Sequence, residues 1–280
     1  ILLMGLITAQ VDAATYYVDK AGSNGNSCAT AATASSDRTK AKLTLGNTSG
    51  SGGAGCLSVA GDTLIVADGT YDNEPEIFLN AADFANGSGG TDANRITIQA
   101  EHRWLAIINS TSSCNPTISS YASYITIDGL RLAVSASDVQ CTSGSTGNYV
   151  IHAWPGRDPS KAGTQTSGNR GLWVKNVLTD PYGSHRNGGL KTNQDFSLVE
   201  NNTFNGGIEA LNTNSTIFRG NTIYGALTLV VKGGARNTQI YNNIVHLTSS
   251  SAVAFYLGGC TGQSWFWDPS EPYESYNTAV

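Results

Sequence analysis

The chain has 280 residues, of which 32 are glycine and 13% are charged, and its formal net charge is −5. Few charged residues, few helix-favouring stretches and many Gly, Ser, Thr and Asn residues are typical of an all-β, turn-dense protein. The negative charge and the lack of a basic patch argue against a nucleic-acid-binding protein. No apolar segment of the sequence is long enough to span a membrane.

The first fourteen residues form an apolar run that ends in Val11-Asp12-Ala13-Ala14. This run is similar to the end of a secretory signal peptide with cleavage after Ala13 or Ala14, and it lacks the usual Met and basic start. A short apolar capping strand is the alternative. We therefore expect a signal-peptide remnant at 1–14, a single domain at 15–280, and a secreted protein, either extracellular or periplasmic.

Five cysteines fit an exported protein, because disulfides persist in oxidising compartments. Cys28 and Cys56 flank one Ser/Thr/Gly-rich insert, and Cys114 and Cys141 flank one repeat. We predict disulfides within these two pairs, with Cys260 left over. The cysteine spacing contains no metal-binding motif such as CxxC.

A three-residue pattern recurs five times along the middle of the chain: an apolar residue, a polar or charged residue, and then Gly or Asn. The apolar residues are 47, 25, 19 and 22 positions apart, so the repeat is 19 to 25 residues long if the first step spans two repeats. Gly and Asn tolerate positive φ, so the third position is predicted to turn through the left-handed region. A short strand, a tight turn and another short strand at this period indicate one coil of a parallel β-helix, whereas antiparallel hairpins would need no constant register. The five copies are Ile127-Asp128-Gly129, Val174-Lys175-Asn176, Val199-Glu200-Asn201, Phe218-Arg219-Gly220 and Ile240-Tyr241-Asn242.

Two columns of side chains follow from this alignment. Asn202, Asn221 and Asn243 occupy the same place in successive coils, where their amides can form a hydrogen-bonded ladder. The middle residues of the pattern alternate in charge, and neighbouring coils lie ~4.8 Å apart. We interpret them as a structural ion-pair ladder, with about 0.2–1 kcal/mol for each pair. Its members are Asp128, Lys175, Glu200, Arg219 and Tyr241.

Several segments resemble right-handed parallel β-helix proteins of the pectate-lyase-like superfamily. They are Ala14–Asp19, Ala60–Tyr71, Ser123–Gly129, Asn201–Phe204, Gly220–Ile223 and Asn242–Val245. The resemblance covers nearly the whole chain and implies an all-β, right-handed parallel β-helix that is secreted and acts on acidic polysaccharides. That superfamily contains lyases, hydrolases, esterases, epimerases and non-catalytic tail or adhesin domains, so the fold does not select one activity. Leu227–Arg236 is loosely similar to the site strand of the alginate-lyase and chondroitinase group, which uses a Lys and an Arg near calcium.

A second row of side chains is predicted about eight residues before the apolar anchors, on one outer sheet face. Lys191 and Lys232 would lie two coils apart in this row, roughly 10 Å, a span that suits one or two sugars. A surface ion-pair ladder explains the same row as well, and we interpret His152 beside Trp154 as a partly buried coil residue. The predicted row is His152, Lys191, Glu209, Lys232 and Tyr256.

Cleavage of a uronate chain by β-elimination needs a cation on the substrate carboxylate, a base for the adjacent proton and an acid for the leaving oxygen. We predict Lys232 as the base, with Arg236 or Lys191 holding the carboxylate. His185 is a further catalytic candidate, because the loop at 180–189 leads into Lys191. The predicted substrate-binding residues are Arg186, Glu209, Tyr256, Trp265 and Trp267.

The segment at 264–275 differs from the repeat and holds the densest aromatic cluster of the chain. Pro269 and Pro272 predict a loop. Aromatic faces stack on sugar rings, so this loop can wall a carbohydrate groove. A loop packed over the flank of the solenoid is the alternative.

The sequence therefore favours a lyase for an acidic polysaccharide, with a non-catalytic carbohydrate-binding or adhesion solenoid as the second hypothesis. A glycoside hydrolase is third, since Glu209 has no carboxylate in an adjacent coil. Calcium stays open as a cofactor, and no metal ligands are assigned because the acidic residues are scattered. Another coil begins at Tyr276–Val280, which predicts a truncated C-terminus and end-to-end self-association.

Overall fold

The computed structural model describes residues 12–46, 52–110, 116–134, 149–154, 168–180, 188–225, 227–258 and 278–280. Within these ranges the chain is a right-handed parallel β-helix, as predicted. Each full coil adds one short strand to each of three parallel sheets, because each strand pairs along its edge with the equivalent strand of the coil before it and turns its apolar side chains into the core. Residues 1–11 of the predicted signal remnant at 1–14, the pair Cys114 and Cys141, and Cys260 lie outside the described residues.

Sheet 1 has eight strands in the described chain and contains the apolar anchors of the repeat. Its anchors Ile127, Val174, Val199, Phe218 and Ile240 form a buried column inside the solenoid. The strands, in order, are β1 (Thr15–Val18), β2 (Thr63–Val66), β5 (Ile96–Ala100), β8 (Ile125–Asp128), β11 (Trp173–Lys175), β14 (Leu198–Glu200), β17 (Ile217–Arg219) and β20 (Gln239–Tyr241).

Sheets 2 and 3 have seven strands each in the described chain. Sheet 2 contains β3 (Gly69–Glu74), β6 (Ala106–Ser110), β9 (Arg131–Val134), β12 (Leu178–Thr179), β15 (Thr203–Asn205), β18 (Thr222–Gly225) and β21 (Ile244–Leu247). Sheet 3 contains β4 (Ile77–Asn80), β7 (Ile118–Tyr121), β10 (Tyr149–Ala153), β13 (Gly188–Thr192), β16 (Gly207–Leu211), β19 (Leu227–Lys232) and β22 (Val253–Gly258).

The turns between sheets 1 and 2 adopt the predicted conformation. All five Gly or Asn residues of the pattern have φ between +52° and +70°, in the left-handed region that Gly and Asn tolerate best. These five turns are at Gly129, Asn176, Asn201, Gly220 and Asn242. The sequence pattern therefore marks a real backbone requirement.

Both predicted ladders are present. The Asn202 side chain donates to Asn221 Oδ1 at 2.9 Å, and the Asn221 side chain donates to Asn243 Oδ1 at the same distance. On the outer face of sheet 1, Glu200 accepts from Arg219 Nε at 2.7 Å and lies 3.2 Å from the ammonium of Lys175. Arg219 and Lys175 on the neighbouring coils thus pair with the Glu200 carboxylate, as the predicted ion-pair ladder requires.

The N-terminal segment closes the first end of the core. It contains α1 (Cys28–Ala31) and the 3₁₀-helices Arg38–Lys40 and Gly53–Cys56, and a third 3₁₀-helix, Ala81–Asp83, follows β4. The predicted disulfide Cys28–Cys56 joins two of these elements. Elsewhere in this segment, the buried carboxylate of Glu74 accepts the backbone N–H groups of Leu45 and Gly46. No helix in the described ranges has the length and apolar character needed to cross a membrane.

Candidate functional site

The outer face of sheet 3 carries the predicted row, with one correction. His152 pairs with Lys191, and Lys191 pairs with Glu209, as the sequence predicts. Glu209 then pairs with Val230, and Val230 pairs with Tyr256. Four of the five predicted residues therefore share one column.

Lys232 does not share that column, contrary to the sequence prediction. It pairs with Leu211, two positions beyond Val230. The prediction counted eight residues back from the apolar anchor of sheet 1. This count fails here because the connection from sheet 3 to sheet 1 is longer in this coil. Gly233 and Gly234, both at positive φ, make the turn that follows β19.

Lys232 nevertheless reaches the same carboxylate from its neighbouring column. Its Nζ lies 3.4 Å from Glu209 Oε2, and Lys191 Nζ lies 3.5 Å from Glu209 Oε1. The hydroxyl of Tyr149 donates to Glu209 Oε2 at 2.6 Å. We call these four residues the lysine–glutamate cluster. It joins four strands of sheet 3: β10, β13, β16 and β19.

The cluster is buried at its centre and open at its lysines. The Glu209 side chain is 4% exposed, whereas those of Lys191 and Lys232 are 18% and 28% exposed. Two ammonium groups face one carboxylate, so the cluster carries a formal excess of one positive charge in a chain of net charge −5. A second anion, such as a carboxylate, would complete the charge balance at the exposed side of the lysines.

Tyr149 is the member of the cluster that sequence reasoning missed. Burial raises its pKa, and the negative charge and hydrogen bond of Glu209 raise it further. The Tyr149 ring lies against the backbone of Gly188. A Cβ atom at Gly188 would lie 2.4 Å from the ring and 2.6 Å from the carbonyl oxygen of Gly207. Gly188 was the available signal, because the lack of a side chain at this position leaves room for the ring.

The aromatic residues on the N-terminal side of the cluster form a stack. Phe78 and Tyr121 have ring centroids 5.1 Å apart, Tyr121 and Trp154 stack at 5.2 Å, and Trp154 and His152 stack at 4.0 Å. The His152 side chain also contacts Asn193, with Nε2 3.3 Å from Oδ1. These rings cover one another's faces and His152 is 2% exposed, so it is a buried coil residue, the interpretation that the sequence favoured.

The remaining candidates lie elsewhere. Arg236 sits in the turn after β19, where its backbone N–H donates to Thr213, so it is not on the strand that carries Lys232. Tyr256 is 43% exposed on β22, in the Glu209 column. His185, Arg186, Trp265 and Trp267 lie outside the described residues. The described ranges contain no group of three or more His, Cys, Asp or Glu side chains that could hold a metal ion.

Among the described residues, the register places no second carboxylate next to Glu209, as a glycoside hydrolase would need. Its two strand partners in the described sheet are Lys191 and Val230. Retaining and inverting hydrolases need a second carboxylate roughly 5–9 Å away. The register therefore gives the described part of this face one carboxylate with two cations in place of a carboxylate pair.

Comparison with known proteins shows the fold. No protein-family model matches the chain, and a search of curated proteins finds no significant match. A pectin methylesterase in complex with a hexasaccharide has a TM-score of 0.52 and 12% identity, over 96% of this chain and 79% of that chain. A mutant of a pectin methylesterase, also in complex with a hexasaccharide, has a TM-score of 0.51 and 13% identity over the same shares. An alginate lyase of polysaccharide lyase family 6 has a TM-score of only 0.32 and 13% identity, over 74% and 39% of the two chains, so it carries no argument.

Proposed function

We propose that this protein is a carbohydrate-active enzyme that cleaves a uronate-containing polysaccharide by β-elimination on the outer face of sheet 3. The observation that carries the proposal is the convergence of Lys191 and Lys232 on the single buried carboxylate of Glu209. The shared fold with saccharide-bound pectin methylesterases supports a carbohydrate substrate. The disulfide Cys28–Cys56 supports export to an oxidising compartment.

Lys191 is the proposed site for the substrate carboxylate. β-Elimination begins with loss of the proton next to that carboxylate, which leaves negative charge on the carboxyl group in the transition state. A fixed ammonium stabilises this charge more strongly in a site with little water than in bulk solvent. The Lys191 side chain is 18% exposed, so its ammonium can accept a second anion while it remains next to Glu209.

Lys232 is the proposed base. An ammonium has no lone pair, so Lys232 must lose a proton before it can accept one from the sugar. Glu209 Oε2, at 3.4 Å, is an acceptor for that proton. Proton transfer from Lys232 to Glu209 leaves a neutral amine and a neutral carboxylic acid.

The other predicted residues keep supporting roles in this proposal. Tyr256 extends the Glu209 column and is exposed enough to contact a sugar. Arg236 is a further cation for the substrate chain beyond the turn. His185, Arg186, Trp265 and Trp267 remain candidates from the sequence, and calcium remains a possible cofactor for a carboxylate-rich substrate.

A non-catalytic carbohydrate-binding or adhesion solenoid is the second candidate. The observation in its favour is that both ammonium groups are already paired with Glu209, as in the structural ladder of Lys175 and Glu200 on sheet 1. In that case the chain would bind a polyuronate without producing unsaturated ends.

The test is to incubate the purified protein with pectate, alginate and glycosaminoglycans, with and without calcium, and to follow the absorbance of the unsaturated product. We expect activity on at least one of these polymers. We expect Lys232→Ala and Lys191→Ala to lower it by about 100-fold or more, the usual share of a general base or a charge-stabilising group.

Lys175→Ala is the matched control, because Lys175 pairs with a glutamate in the same way on a different sheet. It should retain the activity of the parent protein. Binding without any unsaturated product on every polymer would instead support the adhesion solenoid, and reducing ends without that absorbance would indicate a hydrolase.

A further inference from the structure

The two oxygens of Glu209 have different partners. Lys191 approaches Oε1, whereas Lys232 and Tyr149 both approach Oε2. One oxygen atom therefore lies between the proposed base at 3.4 Å and a phenol at 2.6 Å. A carboxylate that contacts two proton-exchanging groups through one atom can pass a proton between them.

We infer that Glu209 relays a proton from Lys232 to Tyr149, and that Tyr149 is the acid that protonates the leaving glycosidic oxygen. This inference rests on the proposed β-elimination. It adds the acid that the reaction requires, a role that the sequence assigned to no single residue.

The steps balance as follows. The neutral amine of Lys232 takes the proton next to the uronate carboxylate, and the electron pair of that C–H bond forms the new C=C bond. The bond from the neighbouring carbon to the glycosidic oxygen breaks, and that oxygen takes the phenol proton of Tyr149. The protonated Glu209 returns its proton to the phenolate, and Lys232 then gives its new proton to Glu209. The substrate proton replaces the one delivered to the product, and the protein ends as it began.

The backbone around Tyr149 is built to hold the phenol at this position. The pairing of β13 with β16 is irregular between Gly188 and Leu190. Any side chain at Gly188 would meet the Tyr149 ring or the Gly207 carbonyl. The ring thus passes over two coils and reaches a carboxylate 60 residues further along the chain. Burial also keeps the phenol protonated, as a proton donor must be.

Tyr149 could protonate the leaving oxygen or could only hold Glu209 in place. A substrate whose leaving group needs no proton distinguishes these two roles. The probes are the polyuronate cleaved in the activity test and a synthetic methyl uronide with 4-nitrophenoxide as the group eliminated. We expect Tyr149→Phe to lower kcat on the polymer by about 100-fold or more and kcat on the nitrophenyl substrate by less than about 3-fold. Glu209→Gln should lower both, because an amide cannot free the amine of Lys232. Tyr224→Phe, on the exposed face of sheet 2, is the matched control and should change neither.

Replacement of Tyr149 by 3-fluorotyrosine tests the same role without removing the hydrogen bond. The more acidic phenol should raise kcat on the polymer, because a stronger acid transfers its proton more readily, and leave kcat on the nitrophenyl substrate unchanged. Equal losses on both substrates for Tyr149→Phe, no loss on the polymer, or an unchanged kcat on the polymer with 3-fluorotyrosine would overturn the relay while the lyase activity stands. A parent protein that eliminates neither substrate would overturn the proposed function, and the relay with it.

Discussion

Asn202 donates two hydrogen bonds to one oxygen of Asn221. Its backbone N–H lies 3.1 Å and its side-chain amide 2.9 Å from Asn221 Oδ1. The same arrangement joins Asn221 to Asn243 at 3.0 and 2.9 Å. The ladder thus satisfies backbone groups at the turn, where the strand pairing of sheets 1 and 2 is interrupted.

Asn221→Ala tests how much this ladder stabilises the solenoid. Asn221 is fully buried, and its own amide donates to the carbonyl of Val199. The alanine would leave the N–H of Asn202 and the carbonyl of Val199 without these partners. Each unsatisfied buried group costs about 1–3 kcal/mol, so we expect the free energy of unfolding in urea to fall by about 2 kcal/mol or more.

Asn243→Ala is the comparison for that measurement. Asn243 makes the same kinds of bonds but is partly exposed, so water can replace some of them. Its loss should therefore be smaller than that of Asn221→Ala. Equal losses would mean that burial of the ladder does not determine its energy.

The tight turn at Gly220 gives a second prediction. Its φ is +65°, and a Cβ atom there would lie 2.5 Å from the side-chain oxygen of Asn201. Gly220→Ala should lower the free energy of unfolding by about 1–2 kcal/mol from the left-handed backbone alone. Asn201→Gly, at φ +57°, should change the free energy of unfolding far less, because glycine adopts a positive φ without steric strain. A neutral Gly220→Ala in thermal or urea unfolding would contradict this account of the repeat.

The fold was predictable because one backbone requirement recurs in five successive coils. Positive φ at the turn selects Gly or Asn in all five, and the last three add the Asn that follows the turn. The expectation that the 47-residue step from Ile127 to Val174 spans two repeats was wrong, because β8 and β11 pair directly and this step is one long coil. The charge column on sheet 1 was predictable for the same reason, since its members follow directly after the buried anchors. For the turns and the charge column of sheet 1, the local sequence pattern and the stacking of coils therefore give the same prediction.

The site was only partly predictable, because it depends on connections that vary from coil to coil. Counting from the anchors placed Lys191 correctly but misplaced Lys232, since the glycine turn after β19 adds residues. Tyr149 was missed because its contact with Glu209 crosses two coils and depends on the absence of a side chain at Gly188. A change in turn length and a gap left by a missing side chain are both hard to recognise from a sequence motif.

Glu200 gives a pH prediction for the charge ladder. Burial raises its pKa, but hydrogen bonds and positive charge from Arg219 and Lys175 outweigh that effect, so the pKa lies below its ordinary value. A carboxyl group with a lowered folded-state pKa contributes stability above its unfolded pKa of about 4.3 and loses it as the pH falls through the folded value. At about pH 7, Glu200→Gln should be less stable than the parent by up to about 1 kcal/mol, as expected for a partly exposed pair. The gap should close below about pH 4 in urea unfolding, and a gap that widens on acidification would contradict the assignment.

Glu74 should respond in the opposite sense. Burial raises its pKa, and the N–H groups of Gly46 and Leu45, with the charge of Lys20, oppose this without reversing it. A carboxyl group with a raised folded-state pKa favours the folded protein most when protonated, and this contribution is lost as the pH rises through the folded value. Glutamine at this position keeps an oxygen for both N–H groups and carries no charge. Glu74→Gln should therefore be at least as stable as the parent at about pH 7, with the difference vanishing below about pH 4. Urea unfolding of the parent, Glu74→Gln and Glu200→Gln at the two pH values gives opposite signs for the two variants if burial dominates at Glu74 and ion pairing at Glu200.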